Sequence, residues 1–326
     1  VILNFNKGEL KMLFQTAGIE VAIWIPPLVA FVISFFTSMG GVSGAFLLLP
    51  FQMSFLGYTN PSVSATNQVF NIVAIPGGVY RFWKEGRLVW PLASIVIIGT
   101  LPGVFIGAVA RVTYLPDPKN FKFFASLVLF YIAAKMILDL VKSKDKKTAA
   151  SKSEKHFQEM MKKGEIKKKK DKDFKPVQIL KINFKTLDFK FYEETFSVSI
   201  PGIFSLSFIV GIIGGIYGIG GGAIIAPFFI SFFHLPVYIV AGAALMGTFV
   251  TSIAGVVFYS AIAPLYPDVS VAPDWLLGAL FGIGGLLGIY LGARVQKYVP
   301  ANIIKWMLAF IIMFTAGKYF ANFFGA

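Results

Sequence analysis

The strongest constraint on this chain is a series of ten apolar runs, most of them about 18–25 residues long, the length an α-helix needs to cross a bilayer. They cover 21–39, 42–57, 61–82, 88–110 and 120–141, then 199–217, 221–235, 237–262, 274–294 and 301–324. Only 14% of the 326 residues are charged, against about 25% in soluble domains, and the mean hydropathy is +0.73. The expected fold class is therefore an all-α polytopic membrane protein. The second and seventh runs, at about 14–16 residues, are short for a bilayer. A re-entrant or broken helix and a full span both remain open for them. Trp24, Trp83, Trp90, Trp275 and Trp306 fall near run ends, as in an interfacial aromatic belt.

The net charge of +14 would suit a nucleic-acid binder in a soluble chain. Here its location decides. Residues 142–198 hold seventeen lysines and nine acids, including Lys142, Lys144, Lys146, Lys147 and the run Lys167–Lys170. This stretch reads as a solvated basic linker that attracts anionic lipid headgroups. It has no arginine and no recognition module, so no nucleic-acid partner is expected. Within it, 154–163 reads as a short amphipathic helix and 179–191 as a strand, hairpin or interfacial segment. The expected organisation is an N-terminal segment 1–20, a first transmembrane repeat 21–141, the linker 142–198 and a second repeat 199–326. The first 20 residues lack the pattern of a secretory leader.

The chain has no cysteine and only His156 and His234. That excludes disulfides, thiolate chemistry and Cys-ligated zinc, and neither a metal nor a cofactor is expected. No Asp or Glu lies deep within a run. The acids, paired histidines and thiols of a membrane-embedded enzyme are all missing.

The halves repeat. Gly41, Gly44, Pro50 and Phe51 match Gly218, Gly221, Pro227 and Phe228 at an offset of 177. Gly99, Gly103 and Gly107 match Gly284, Gly288 and Gly292 at an offset of 185. Lys and Arg in short loops mark the cytoplasmic side. With the linker inside, the loop at 82–88 (Arg81, Lys84, Arg87) is inside. Its equivalent at 262–274 (Asp268, Asp274) is outside. The loop at 294–300 (Arg294, Lys297) is inside, and 111–119 (Arg111, Asp117, Lys119) is outside and mixed. Equivalent loops mostly carry opposite bias. The expectation is two inverted repeats of about five transmembrane or re-entrant helical segments each. The protein would be multi-pass in the cytoplasmic (cell) membrane, with a cytoplasmic linker and both termini outside. Monomer and homodimer are equally open.

Each half contains a glycine-rich break, Gly40-Gly41-Val42-Ser43-Gly44 and Gly218-Ile219-Gly220-Gly221-Gly222. A helix starting at such a break aims free N–H groups and its positive dipole end into it, which suits an anion. The alternative is that these glycines only permit close packing. A polar stripe follows: Ser64, Asn67, Gln68 and Asn71 share one helix face, and Thr248, Thr251, Ser252 and Gly255 repeat the spacing. Such groups in a span need partners. Either they bond neighbouring helices or they line a polar path. Thr66 is a further candidate donor. The four-residue glycine ladders read as close helix contacts.

The stretch Gly218–Pro227, GIGGGAIIAP, resembles the G-x-G-G-G-x-x-x-x-P signature of the TauE/SafE sulfite exporter family of anion permeases. The first half carries a degenerate copy, with Ser43 and Ala45 replacing glycines. The resemblance covers 21–141 and 199–324; a long lysine-rich linker is not expected of the family. It implies transport of a sulfur oxyanion, such as sulfite or an organosulfonate, across the cytoplasmic membrane.

The candidate substrate-binding set is Gly41, Ser43, Gly44, Thr66, Asn67, Gln68, Asn71, Gly218, Gly220, Gly221, Gly222, Thr248, Thr251 and Ser252. The partner expected is a small anionic substrate, carried by alternating access and exported down the membrane potential. Alternatives are a passive anion channel, a carrier of another small organic anion such as a carboxylate, and a non-transporting sensor or scaffold built on the linker. None of the candidate residues carries a positive charge.

Overall fold

The computed structural model describes residues 2–6, 9–142, 149–162, 177–192, 194–222 and 224–324. The run Lys167–Lys170 and six of the other linker lysines lie outside the described residues. Strands β1 (Ile2–Asn6), β2 (Glu9–Phe14) and β3 (Ile19–Ala22) form an antiparallel meander. Helices α1 (Ile25–Met39), α2 (Ala45–Ser54), α3 (Ser62–Lys84), α4 (Trp90–Thr113) and α5 (Pro118–Lys142) make the first half. Helix α6 (Ala149–Lys162) and a second antiparallel meander follow, β4 (Val177–Ile182), β5 (Thr186–Phe191) and β6 (Glu194–Ser199). The second half comprises α7 (Ile200–Tyr217), α8 (Ile225–Ser231), α9 (Val237–Ile262), α10 (Trp275–Gln296) and α11 (Ala301–Phe324).

Local chemistry sets several of these ends. Pro26, Pro91 and Pro201 sit in the first turns of α1, α4 and α7, where φ is already helical and the missing N–H has no helical partner to lose. Ser199 caps α7 by accepting from Gly202 N at 3.2 Å, and Asp274 caps α10 by accepting from Leu277 N at 3.0 Å. Such caps satisfy N–H groups that the helix itself leaves free.

The protein is a multi-pass helical membrane protein. Helices α4, α5, α7, α9, α10 and α11 are long and apolar enough to cross a bilayer. At 23 residues, α3 is also long enough, and its polar face turns inward. By contrast α2, with 10 residues, and α8, with 7, rise only about 10–15 Å, far less than the hydrocarbon core. All five tryptophans are exposed and four stand at helix ends, as the belt predicts; Trp306 lies within the first two turns of α11.

Packing between the halves is reciprocal. Helix α1 lies along α10, and α7, its counterpart, lies along α4. Likewise α3 packs on α10 and α9 on α4, while α3 meets α9 and α5 meets α11. The glycine ladders make the first contacts possible. A Cβ on Gly103 or Gly107 would run into the α7 backbone, and one on Gly288 or Gly292 into that of α1. The packing reading of the ladders holds.

Each unit of long helix, break and short helix starts beside one of the two sheets. The first starts at β3. Its return leads to Asn60, whose Nδ2 donates to Thr16 O at 3.3 Å in the first meander. The second starts at β6. Its return leads to Val237, whose N–H donates to Glu154 Oε1 of α6 at 2.9 Å. Helix α3 joins the two groups. Ser62 N at its start bonds Ser270 O, beside the Thr16 turn. Its far end leads to Glu85 and Arg87, where Arg87 stacks against Phe82 and Phe157 of α6.

Two segments differ from their sequence reading. The N-terminal segment, for which the sequence reading named no strand or helix, is a sheet whose inner face buries Met12, Phe14, Ile19 and Val21. The linker, read as solvated overall, folds where it is described: the helix expected at 154–163 overlaps α6, and the strand or hairpin expected at 179–191 overlaps β4 and β5. Phe157 is buried at 4.6 Å ring distance from Tyr238, Gln158 Nε2 donates to Tyr238 Oη at 2.9 Å, and Lys305 pairs with Glu154 at 2.9 Å. Phe189, Phe191 and Phe196 bury the inner face of its sheet.

Glu85 is the hub of this face. It pairs with Arg81 at 2.7 Å, Arg87 at 2.5 Å and Lys297 at 3.0 Å. Arg87 Nη1 also donates to Gln296 Oε1 at 2.6 Å and to Tyr238 O at 3.2 Å, and Gln296 Nε2 donates to Met39 O at 2.6 Å. Burial alone would raise the Glu85 carboxyl; Arg87, Lys297 and Arg81 outweigh it and hold it below the usual carboxylate range. A carboxyl whose pKa is depressed by folding stabilises above its unfolded pKa and loses that contribution as pH falls through the folded value. Melting temperature is therefore expected to be flat above the ordinary glutamate pKa of about 4.3 and to fall below it. Glu85→Gln should melt lower at neutral pH and lose most of this acid dependence. A thermal-unfolding series against pH checks this, and an unchanged acid limb in Glu85→Gln would refute it.

Candidate functional site

Both breaks need glycine for a physical reason. Gly41 and Gly218 each have φ +73°, a left-handed conformation that only glycine adopts without strain. Each also touches foreign backbone. A Cβ on Gly41 would lie 2.5 Å from Ala241 Cα in α9, and one on Gly218 would collide with Ser64 Cα in α3. Each break thus reaches across to the early turns of the other half's polar-striped helix.

Two amides of α3 bond both breaks. Asn71 Nδ2 donates to Ile219 O at 2.9 Å and to Ser252 Oγ at 3.0 Å, and its Oδ1 accepts from Ser43 Oγ. Asn67 Nδ2 donates to Ala45 O at 2.9 Å and to Gly218 O at 3.3 Å, and its Oδ1 accepts from Gln52 Nε2 at 3.2 Å. Breaks that lie 177 residues apart in the chain are therefore joined through side chains one turn apart on a single helix.

The second stripe closes the opposite wall. Thr251 Oγ1 accepts from Gly221 N at 2.9 Å while donating to its own helix at Gly247 O, 2.7 Å away. Thr248 Oγ1 donates to Ala244 O at 2.9 Å. Gly220 lies beside Ser252 and Thr248, and Gly222 beside Ala244 and Thr248. Gly44 fits against Ser34 and Phe70. Ser43, Asn67, Gln68, Asn71, Thr248, Thr251 and Ser252 are all fully buried.

The candidate residues do not all converge. Thr66 turns away from the breaks: its Oγ1 meets Tyr58 Oη at 2.7 Å and accepts from Asp274 N at 2.8 Å, serving the α10 start instead. Two break amides also differ from expectation. Gly221 N is taken by Thr251, and Ala45 N bonds Ser43 Oγ at 3.2 Å. Protein hydroxyl oxygens stand where an anion's oxygens were expected.

Unused capacity sits close by. Gln68 packs against Gly255 with neither Oε1 nor Nε2 bonded, and Gln52 Oε1 also lacks a partner. Buried polar groups are normally satisfied, so these amides of α3 and α2 leave hydrogen-bonding capacity unused. Gln52 and Thr100, which lies against Gly221, were missed by the sequence reading. The only signal was a single polar residue inside an apolar run. The groups bonded to the breaks carry no formal charge among the described residues.

A sequence profile described as "Sulfite exporter TauE/SafE" matches residues 27–319. The chain belongs to this family. A probable membrane transporter protein, YdhB of Bacillus subtilis, is 25% identical over 114 residues, 35% of this chain and 43% of that protein. A probable membrane transporter protein of Methanocaldococcus jannaschii, MJ0441, is 28% identical over 130 residues, 38% of this chain and 46% of that protein. The aligned part of the chain thus spans under half the length of these curated relatives. No solved structure matches significantly. The TauE/SafE match runs from α1 into α11, takes in both breaks and leaves out the first meander.

Proposed function

We propose that this protein is a secondary transporter that carries a small sulfur-containing oxyanion, such as sulfite or an organosulfonate, across the cytoplasmic membrane by alternating access. The carrying observation is the Asn67–Asn71 bridge, which couples both breaks to one polar helix inside a fully buried site. On this reading the oxyanion enters between the breaks, takes hydrogen bonds from Gln68, Asn71 and the hydroxyls of Ser43 and Ser252, and displaces Ser43 and Thr251 from the amides they occupy. The two halves are inverted repeats. Reciprocal packing supports this, as do hairpins that start from different sheets. The linker is cytoplasmic. Full burial of the polar residues favours a carrier that opens to one side at a time over a passive pore. An anion leaving a negative-inside cell gains about 2.3 kcal/mol per charge per 100 mV, so export needs no coupling ion.

The test is flux in proteoliposomes loaded with sulfite, an alkylsulfonate or a carboxylate. Sulfite or sulfonate flux that saturates and shows counterflow is the expected result. Movement of carboxylates alone would refute the substrate class, and non-saturating flux without counterflow would refute the carrier.

A further inference from the structure

The sequence reading put Arg111 in a loop. It lies instead in the last turn of α4, with no exposed surface. Its Nη1 donates to Leu115 O, and the guanidinium lies 4.2 Å over the Phe121 ring. Its Nε and Nη2 are buried without a partner. Among the described residues no carboxylate pairs with it. Arg87, the other fully buried arginine, is matched by Glu85 and Gln296. At the repeat offset of 185, Gln296 is the counterpart of Arg111. One end of the protein thus has a neutralised cation, and the other has a cation awaiting an anion. An unpaired charge within a membrane protein is costly to keep and marks a site.

Its surroundings point the same way. Phe121 packs 5.8 Å from Tyr217, the residue that precedes the Gly218 break, and Tyr217 stacks on Phe46 of α2. Lys122 follows Phe121 in the chain, and Lys318, which precedes Tyr319, lies with its Nζ 3.6 Å over the Phe55 ring of the α2 end. These cations sit at the end of α4, the start of α5 and the end of α11. They break the charge bias expected of an outer face, and attraction of an anion gives them a purpose.

We propose that Arg111 is a second, charged station for the transported oxyanion, between the breaks and the face where α4 ends, with Lys122 and Lys318 drawing the anion toward it. Its full burial favours a small mono- or dianion over a lipid phosphate. This rests on the transporter reading above.

The test compares Arg111→Gln and Arg111→Lys with the wild type, using sulfite flux in neutral-lipid vesicles and sulfite-induced thermal shift in lipid-free detergent. Arg111→Gln should cut flux at low sulfite about tenfold or more, the weight of a charge-assisted hydrogen bond, and lose most of the thermal shift. Without sulfite it should melt at or above the wild type, because an uncompensated charge has gone; a merely structural arginine would melt lower on removal. Arg111→Lys should keep part of both signals. Lys122→Gln with Lys318→Gln should slow flux at low ionic strength and match the wild type in high salt. Wild-type flux and thermal shift in Arg111→Gln, with flux stopped in Asn71→Leu, would overturn this inference alone. A thermal shift produced by an anionic lipid and not by sulfite would reassign the ligand and overturn it too. If wild-type protein moves no sulfite or sulfonate, both readings fall.

Discussion

Asn71→Leu is expected to stop sulfite flux and to lower stability by about 2–4 kcal/mol. The number and branching of side-chain heavy atoms stay the same, so the main effect is one of polarity. Asn71 holds Ser43 Oγ, Ile219 O and Ser252 Oγ at once. Interhelical hydrogen bonds in membranes average only about 0.6 kcal/mol, which for three bonds gives less than 2. Leucine does more than delete bonds, however. It leaves polar groups buried without water, at about 1–3 kcal/mol each. The Ser252 hydroxyl can rotate toward a carbonyl of its own helix, and Ser43 Oγ still accepts from Ala45 N, so the Ile219 carbonyl bears most of the penalty. Ser252→Ala removes one acceptor and should cost about 1 kcal/mol while leaving partial flux. Flux per monodisperse protein, with melting curves on the same samples, separates misfolding from loss of transport. Wild-type flux in Asn71→Leu would refute the site.

Spacing made this bridge partly legible. Positions 64, 67, 68 and 71 fall on one face of a 3.6-residue helix, and the structure buries all four. What spacing could not supply was the partner. Asn67 and Asn71 bond carbonyls more than 140 residues away, and such pairings follow from tertiary packing alone. Thr66 illustrates the other failure. One residue from Asn67, it lies on a different side of the helix and serves Tyr58 and Asp274. Isolated polar residues were harder still. Gln52 and Thr100 have no periodic company, and only their contacts with Asn67 and Gly221 reveal them.

The membrane helices were legible because apolar length is set by the bilayer, and the helix bounds fall within a few residues of the runs. Arg111 was misplaced for the same reason. A charge ends a hydropathy run, so the fourth run stopped at 110 while the helix continues to Thr113. The error hid the very residue whose burial is most costly. In the linker, lysine dominated the composition, yet Phe157, Phe189, Phe191 and Phe196 are enough to dock a helix and close a sheet. Composition averages over a segment, whereas packing depends on which face each residue occupies.

Gly218→Ala is expected to be as damaging as Asn71→Leu, for a different reason. At φ +73° an alanine is strained by about 1–2 kcal/mol. Its Cβ would also strike Ser64 Cα, which is backbone and cannot swing aside. Overpacking of this kind costs typically about 1–3 kcal/mol, so the sum is about 2–5 kcal/mol. Gly41→Ala should behave alike, because Gly41 has the same φ and meets Ala241 Cα at 2.5 Å. Gly57 supplies the control: its φ is +72°, but nothing lies within 4 Å of the added Cβ. Gly57→Ala should therefore show the strain alone, about 1–2 kcal/mol, and retain flux. Where Gly218→Ala still folds, displacement of the α7 tip from Asn67, now 3.3 Å from Gly218 O, should lower flux as well. Melting curves on the three variants measure the difference directly. If Gly218→Ala and Gly41→Ala lose no more stability than Gly57→Ala, the breaks need glycine only for its φ, and the close crossing of each break with the opposite half is not what holds the two halves together.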